Sequence, residues 1–280
     1  MKAAASSPRG EDRVASMFEA ARARGEAALI TYLMAGDPDL ATSKAVALAC
    51  AEGGADLIEI GMPFSDPIAD GPTIQRAAER ALAARTTLAD SLAVAAHARA
   101  RSNARLALMG YVNPVLSYGL EPFFRDAARA GVDALILPDV PPEEAEDLRR
   151  IAAAHHVKTV FLVAPTSTDE RRRAAARAAT GFLYFVSVAG VTGARRELPP
   201  DLAAQVSATR ALSPVPVVVG FGVSTPAQAA EVARNADGVV VGSAIVSRVA
   251  EKGSRKARAE RVKRFVRSLK RAMKRPSPLA

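Results

Sequence analysis

The strongest constraint on this sequence is a regular alternation between short apolar runs and longer stretches with helical spacing. Eight runs have the composition of buried strands: Ala28–Leu33, Asp56–Ile60, Leu106–Tyr111, Ala134–Pro138, Thr159–Val163, Leu183–Ser187, Val215–Val219 and Gly238–Val241. Helical patterns such as Thr73–Ala84 and Glu143–Ala154 lie between them. Because each parallel strand pair needs a crossover, this order predicts βαβ units and a single-domain α/β fold, the (β/α)8 TIM barrel.

A doubly wound open sheet is the alternative architecture. Such a sheet normally has a glycine-rich fingerprint after its first strand, but this chain reads M-A-G-D-P-D-L there. We expect residues 1–13 to form a disordered extension and residues 14–275 to form the barrel. The barrel would include a basic C-terminal helix over residues 254–275, followed by a tail at 276–280.

Composition excludes several classes of protein. The 280 residues include one cysteine and three histidines, which rules out a disulfide framework and makes a metal site improbable. Cys50 lies in an apolar helical run, so it is expected to be a small buried hydrophobe. No apolar run approaches the roughly 20 residues that span a bilayer, and the N-terminus lacks a signal-peptide core. We therefore expect a soluble cytoplasmic protein without a membrane partner.

The positive charge of the chain is concentrated at one end. Residues 248–275 hold 13 Lys or Arg and 2 Glu, whereas the whole chain has a net charge of +9. Apolar residues recur there at helical spacing, which predicts a last barrel helix with its apolar face inward: Val262, Phe265, Val266, Leu269 and Met273. The outward basic face is interpreted as a solvated surface; contact with nucleic acid or an acidic membrane is the less favoured alternative.

Two acidic residues are the first candidates for chemistry. The second strand ends D-L-I-E-I-G, and if Ile58 and Ile60 face the helices, Glu59 points into the barrel. A proline-stiffened loop follows, and Asp70 near its end either caps the next helix or lies opposite Glu59. A pair of carboxyl groups in unlike environments can divide proton transfer from electrostatic stabilisation.

Glycine-rich turns follow the last three strands. They carry Gly193 in A-G-V-T-G-A, Gly222 in G-F-G-V-S, and Gly242 with Ser243 before a short helix. Barrels often bind phosphate with the loops after strands seven and eight, so we expect a phosphorylated ligand. Apolar and aromatic residues at strand ends could form a flat pocket beside the carboxyl groups: Tyr32, Met109, Tyr111, Leu137 and Tyr184.

One long motif and several shorter ones together resemble a known family. The run D-L-I-E-I-G-M-P-F-S-D-P-I-A-D-G-P-T-I-Q, residues 56–75, is similar to the signature of the tryptophan synthase α subunits. The similarity continues in order through G-D-P, Y-V-N-P, L-P-D-V-P, S-V-A-G-V-T-G, G-F-G-V-S and D-G-V-V-V-G-S-A-I-V, over roughly residues 14–250.

The resemblance implies a (β/α)8 barrel that cleaves indole-3-glycerol phosphate to indole and glyceraldehyde 3-phosphate. By this resemblance Glu59 is the general acid and base, Asp70 accepts the indole N–H, and Tyr184 assists near the glycerol hydroxyls. The phosphate would be held by backbone amides at Gly193, Gly222, Gly242 and Ser243. Indole would stack among Tyr32, Met109, Tyr111 and Leu137.

The resemblance also implies a partner, a β subunit that carries pyridoxal phosphate and joins indole to serine in an α2β2 assembly. No cofactor or metal is expected on this chain. The elements expected to communicate with the partner are the loop with Pro63, Asp66 and Pro67, the loop with Thr192, and Asp139. The competing hypotheses are an isomerase or synthase of a phosphorylated sugar, and a non-catalytic protein that binds nucleic acid through its basic helix.

Overall fold

The computed structural model describes residues 12–186, 198–220 and 222–274. Eight parallel strands pair in chain order and close into a barrel, which confirms the predicted fold. The strands are β1 (Ala28–Met34), β2 (Leu57–Gly61), β3 (Arg105–Met109), β4 (Ala134–Ile136), β5 (Lys158–Val163), β6 (Leu183–Val186), β7 (Val217–Gly220) and β8 (Gly238–Val241).

Helices surround the barrel, and several begin at side-chain caps. Thr168 accepts a hydrogen bond from the Arg171 N–H, and Thr225 forms a capping box with Gln228. The helices of the described ranges are α1 (Arg13–Ala23), α2 (Leu40–Gly53), α3 (Pro72–Ala83), α4 (Leu88–Arg99), α5 (Val112–Tyr118), α6 (Leu120–Arg129), α7 (Glu146–Ala154), α8 (Asp169–Ala178), α9 (Leu202–Leu212), α10 (Pro226–Ala233), α11 (Ser243–Ala250) and α12 (Arg255–Ala272).

Most element boundaries differ by one or two residues from the sequence-based expectation, and three of these differences are informative. β3 ends at Met109, so Tyr111 lies outside the strand, at the start of α5. β7 begins at Val217 because Pro216 has no N–H to donate to the ladder. The predicted helix from residue 143 is divided, with a 3-10 turn at Pro142–Glu144 before α7.

Side chains alternate between the barrel interior and the layer beneath the helices. Leu57 packs in the interior cluster, whereas Ile58 and Ile60 pack in the outer cluster against the helices. Helix α1 covers the N-terminal end of the barrel, where Phe18 meets Phe182 edge-on with ring centroids 5.8 Å apart. The opposite end, at the carboxyl ends of the strands, is the end where barrels place their active sites.

Three aspartates immediately precede even-numbered strands and accept a backbone N–H from the strand before. We call Asp56, Asp133 and Asp237 the strand-start aspartates. Their Oδ2 atoms accept from the backbone N–H groups of Leu29 in β1, Leu106 in β3 and Val217 in β7. The N–O distances are 2.8, 2.8 and 2.9 Å respectively. Each carboxylate also pairs with an arginine that lies in a helix or directly follows one, so it ties two strands to the helical layer.

The basic helix α12 packs with its apolar face against the body, mainly on α2, as predicted. Gly53 of α2 permits this contact, since a Cβ there would lie 2.7 Å from Val266 Cβ. Lys263 and Lys270 reach back to Glu52 and Asp56, with Nζ–O distances of 2.6 Å in each case. Cys50 is fully buried in α2, and burial raises the pKa of its thiol to about 12, which confirms its role as a core residue.

Candidate active site

Glu59 is the most buried acid of the candidate site. It points into the barrel from β2, is 1% exposed, and pairs in register with Tyr32 of β1 and Ala107 of β3. Within the described ranges its Oε2 has no hydrogen-bond partner. Burial, with a smaller contribution from the charge of Asp70, raises the pKa of this carboxyl to about 8.

Asp70 lies across from Glu59 at the end of the loop between β2 and α3. It does not cap α3: Gly71 occupies the cap position, and no side chain caps that helix. Instead its Oδ2 accepts a hydrogen bond from the Tyr111 hydroxyl at 3.1 Å, and the carboxyl is 8% exposed. Burial raises the pKa of Asp70 to about 6, while the Tyr111 hydrogen bond acts in the opposite direction.

The two carboxyl groups share one electrostatic environment with two tyrosines. Burial is the main cause that raises the pKa of Tyr32 and of Tyr184, and the charges of both Glu59 and Asp70 add to it. At neutral pH Glu59 therefore keeps its proton and Asp70 is largely ionised. The site thus combines one proton donor with one anionic acceptor, the division of roles expected of an acid–base pair.

Glycines at two strand ends make room for the tyrosine rings. A Cβ on Gly61 would lie 2.1 Å from the Tyr32 hydroxyl, and one on Gly220 would lie 2.3 Å from the Tyr184 hydroxyl. Each ring therefore lies across the end of the neighbouring strand. The sequence showed glycine at both positions, but the tyrosine contacts that require it depend on strand register.

The apolar pocket predicted from the sequence is lined only in part by the expected residues. Met109 packs in the interior cluster with Tyr32, and the Tyr111 ring lies 5.3 Å from that of Phe64. Leu137 instead packs in the outer cluster, and Ile136 takes the inward position. Leu137 therefore does not face the barrel interior as predicted. Because side chains alternate along a strand and Ala134 faces inward, Ile136 is the next residue of β4 that faces the interior.

Three of the four predicted phosphate-binding residues lie within the ranges that the structure describes. Gly242 immediately precedes α11 and Ser243 is its first residue; a Cβ on Gly242 would lie 3.4 Å from Tyr32 Cβ. Gly222 follows β7 with a φ of +93°, a conformation that favours glycine. Gly193 lies outside the described residues, as does Thr192. The start of α11 thus presents backbone N–H groups at the same end of the barrel as Glu59.

The loop predicted to contact a partner is partly exposed. Pro63 and Pro67 are half-buried, whereas Ile68 is 81% exposed. Asp66 is also exposed, and its carboxylate accepts a hydrogen bond from the Ser65 hydroxyl. Asp139 accepts the Val112 N–H with both carboxylate oxygens, at 3.0 and 3.2 Å, at the start of α5.

Two further features bear on the class of protein. In the ranges 12–186, 198–220 and 222–274, no group of three or more His, Cys, Asp or Glu is placed to hold a metal ion. No helix within those same ranges is long and apolar enough to cross a membrane.

Comparison with known proteins identifies the family. The model of the family described as tryptophan synthase alpha chain matches residues 18–274. The chain belongs to this family. A tryptophan synthase alpha chain from Citrifermentans bemidjiense is 53% identical over 234 residues, or 84% of this chain and 88% of the relative. One from Pelobacter propionicus is 49% identical over 262 residues, covering 94% and 98%.

Solved structures of the tryptophan synthase alpha family share the fold along nearly the whole length. A chain of Mycobacterium tuberculosis tryptophan synthase is 42% identical with a TM-score of 0.87, covering 94% of this chain and 99% of that one. The Legionella pneumophila alpha subunit is 36% identical with a TM-score of 0.86, covering 94% and 99%. As a family member the chain is a lyase that cleaves indole-3-glycerol phosphate and supplies indole to a β subunit for tryptophan synthesis.

Proposed function

We propose that Glu59 carries out both proton transfers of this cleavage and that Asp70 stabilises the positive charge that they create. The bond that breaks joins the indole ring to its glycerol phosphate side chain. Glu59, neutral at pH 7 because of its burial, donates its proton to the ring carbon that bears the side chain. Its carboxylate then takes the proton of the adjacent side-chain hydroxyl as the carbon–carbon bond breaks, so that the bonding electrons return to the ring. Glu59 ends the cycle protonated.

Asp70 supplies the compensating charge. Protonation of the ring carbon leaves positive charge on the indole nitrogen, and an ionised carboxylate that accepts the N–H stabilises that charge. The Tyr111 hydroxyl, which receives the Ala69 N–H at 3.0 Å and donates to Asp70, would hold the carboxylate in place. One well-placed electrostatic contact of this kind is worth on the order of 3 kcal/mol in the transition state.

The remaining residues bind the two ends of the substrate. The indole ring would lie among Tyr32, Met109, Tyr111 and Ile136, and Tyr184 would assist near the glycerol hydroxyls. The phosphate would bind backbone N–H groups at the start of α11, at Gly242 and Ser243, together with Gly222. The dipole of α11 favours an anion at that end.

We further propose the assembly and location of the enzyme. The β subunit would contact the loop from Pro63 to Asp70, where Ile68 presents an exposed apolar side chain, and the region of Asp139. An α2β2 complex in the cytoplasm fits this arrangement, with pyridoxal phosphate on the β subunit. This chain needs no cofactor in the scheme, because the Glu59 carboxyl performs both proton transfers.

The main support for the proposal is the buried Glu59 carboxyl, which faces Asp70 and has one oxygen without a hydrogen-bond partner among the residues that the structure describes. The test is to incubate the purified chain with indole-3-glycerol phosphate and to follow indole, with and without a β subunit. We expect slow release by the chain alone and a large increase with the partner. No indole in either reaction would contradict the proposal, and equal rates would contradict its dependence on the β subunit.

A further inference from the structure

The backbone of Asp70 is fixed to the first turn of α3. The Gln75 side chain donates to the Asp70 carbonyl at 2.8 Å, and the N–H groups of Ile74 and Gln75 both reach the Gly71 carbonyl, at 2.9 and 3.0 Å. Asp70 and the helix therefore move as one unit. Any displacement of α3 along its axis would displace the Asp70 carboxyl relative to Glu59 on the neighbouring strand.

The packing of α3 provides little resistance to such a displacement. Its buried face consists of Ile74, Ala77, Ala78 and Ala81. Alanine side chains are small and do not interlock deeply with their neighbours, so they fix the position of a helix less firmly than larger residues. A directional contact is therefore needed to hold the helix in register.

Arg80, near the end of α3, makes such a contact. Its Nε and Nη2 donate to Oδ1 and Oδ2 of Asp37 at 2.7 and 2.8 Å, which makes the pair bidentate. Asp37 is 2% exposed and lies in the loop that follows β1. A buried carboxylate with two charge-assisted bonds holds its partner much more firmly than a surface ion pair does.

The loop that carries Asp37 is itself fixed on two sides. Gly36, with a φ of +76°, donates its N–H to the Ser43 hydroxyl of α2 at 3.1 Å. A Cβ on Gly36 would lie 1.8 Å from the Thr86 hydroxyl, so this loop also packs closely against the chain that leaves α3. The loop continues directly from β1, the strand that pairs with β2 beside Glu59.

We propose that Asp37 and Arg80 are positioning residues that set the placement of Asp70 relative to Glu59. They touch neither the substrate nor the reacting atoms, and they act through α3. The inference rests on the catalytic role proposed for Asp70. A catalytic carboxylate must be held within a fraction of an ångström, because a displacement of about 1 Å can cost roughly 100-fold in rate.

The test uses Arg80→Lys in the complex with the β subunit. Lysine keeps the charge but cannot form the bidentate pair. We expect kcat to fall roughly 10- to 100-fold while KM for indole-3-glycerol phosphate changes less than about threefold. The acid limb of the pH profile of kcat/KM should also move down by about one pH unit, because a displaced helix admits water to Asp70. A merely structural ion pair would not move that limb.

The matched control is Arg76→Lys, an exposed arginine on the same helix, which should leave kcat and the pH profile unchanged. Asp37→Asn is a second variant that removes the pair while keeping the side-chain shape, and it should reproduce both effects. Circular dichroism and thermal melting establish which variants are folded.

The inference is overturned if either folded variant has the wild-type kcat, or loses activity with its acid limb unmoved. A wild-type profile without an acid limb near pH 6 is a different result. It would contradict the role of Asp70 itself, and with it the positioning role of Asp37 and Arg80.

Discussion

At the scale of single residues, the fold makes two similar side chains behave differently. Glu59 is enclosed by the barrel interior, and its Oε2 has no hydrogen-bond partner in the described ranges, whereas Asp70 receives the Tyr111 hydroxyl. Burial raises the pKa of both, to about 8 and about 6 respectively. The order of these two values follows from the environments, and in the proposed mechanism it makes Glu59 the proton donor.

The pH dependence of kcat/KM follows from this order. The proposed mechanism requires Asp70 ionised and Glu59 protonated, so the profile should be bell-shaped, with an acid limb near pH 6 and an alkaline limb near pH 8. Steady-state measurements between pH 5 and 9.5, with the β subunit present, would show it. A profile that is flat across this range would show that the two groups do not titrate in the catalytic step.

The raised pKa of Glu59 also has a consequence for stability. The unfolded chain loses this proton near the ordinary value of 4.5, whereas the folded chain retains it up to about pH 8. The group's contribution to the free energy of unfolding is therefore complete at low pH and is lost as the pH rises through about 8. Glu59→Gln removes this loss, so it should stabilise the protein at pH 9 relative to wild type by up to a few kcal/mol.

Urea denaturation of both proteins at pH 5 and pH 9 would measure the effect. The stability of Glu59→Gln minus that of wild type should be larger at pH 9 than at pH 5. Asp70 titrates in the same direction but is present in both proteins. A difference that does not change with pH would mean that burial does not shift the pKa of Glu59.

At the scale of secondary-structure elements, one end of the barrel carries the candidate site and the other carries contacts that stabilise the fold. The carboxyl ends of the strands carry Glu59, Asp70 and the tyrosines, whereas the N-terminal ends carry the strand-start aspartates. Asp133 is the most buried of these, and it accepts the Leu106 N–H and pairs with both Arg13 and Arg99. Such contacts, far from the reacting groups, contribute to stability.

Asp133→Ala should therefore destabilise the protein without changing the site. Removing the carboxylate leaves two arginine charges without their ion-pair partner and the Leu106 N–H without its acceptor, at a cost of about 3 kcal/mol. Urea denaturation measures this, and kcat of the folded fraction should be unchanged. The control is Asp147→Ala, whose ion pair with Arg150 is on the surface and should be worth less than about 1 kcal/mol. Equal losses in the two variants would contradict the special role of Asp133.

The elements were largely predictable from the sequence because strand and helix patterns are local. All eight strands were identified, and the alternation in D-L-I-E-I-G correctly placed Glu59 inside. What could not be predicted depends on contacts distant in sequence. The Tyr111–Asp70 hydrogen bond joins residues 41 apart, and the Arg80–Asp37 pair joins residues 43 apart. Whether Asp70 capped a helix or faced the site was therefore open until the fold was known.

At the scale of the whole molecule, the basic C-terminal segment is part of the barrel's outer layer. The net charge of +9 first raised the alternative of nucleic-acid binding. Several of these cations instead have intramolecular partners: Arg261 pairs with Glu251, and Arg248 lies over the Phe265 ring at 3.4 Å. The apolar side of α12 covers α2, so the segment completes the fold.

Truncation separates these two interpretations of the segment. A chain that ends at Arg261 loses five buried apolar side chains, each worth roughly 1.5–3 kcal/mol. Their sum is comparable to the whole stability of a typical domain. We expect this chain not to fold cooperatively in urea or thermal denaturation, whereas deletion of residues 276–280 should be silent. A stable and active chain ending at Arg261 would show that α12 is an appendage.

The proposed mechanism is tested by measuring indole release by Glu59→Gln in complex with the β subunit. Glutamine has nearly the same shape but carries no transferable proton, so we expect a folded complex with a kcat at least about 1,000-fold lower. Glu79→Gln, an exposed glutamate on α3, should match wild type. Wild-type turnover by Glu59→Gln would contradict the account, because the proton would then have to come from another group.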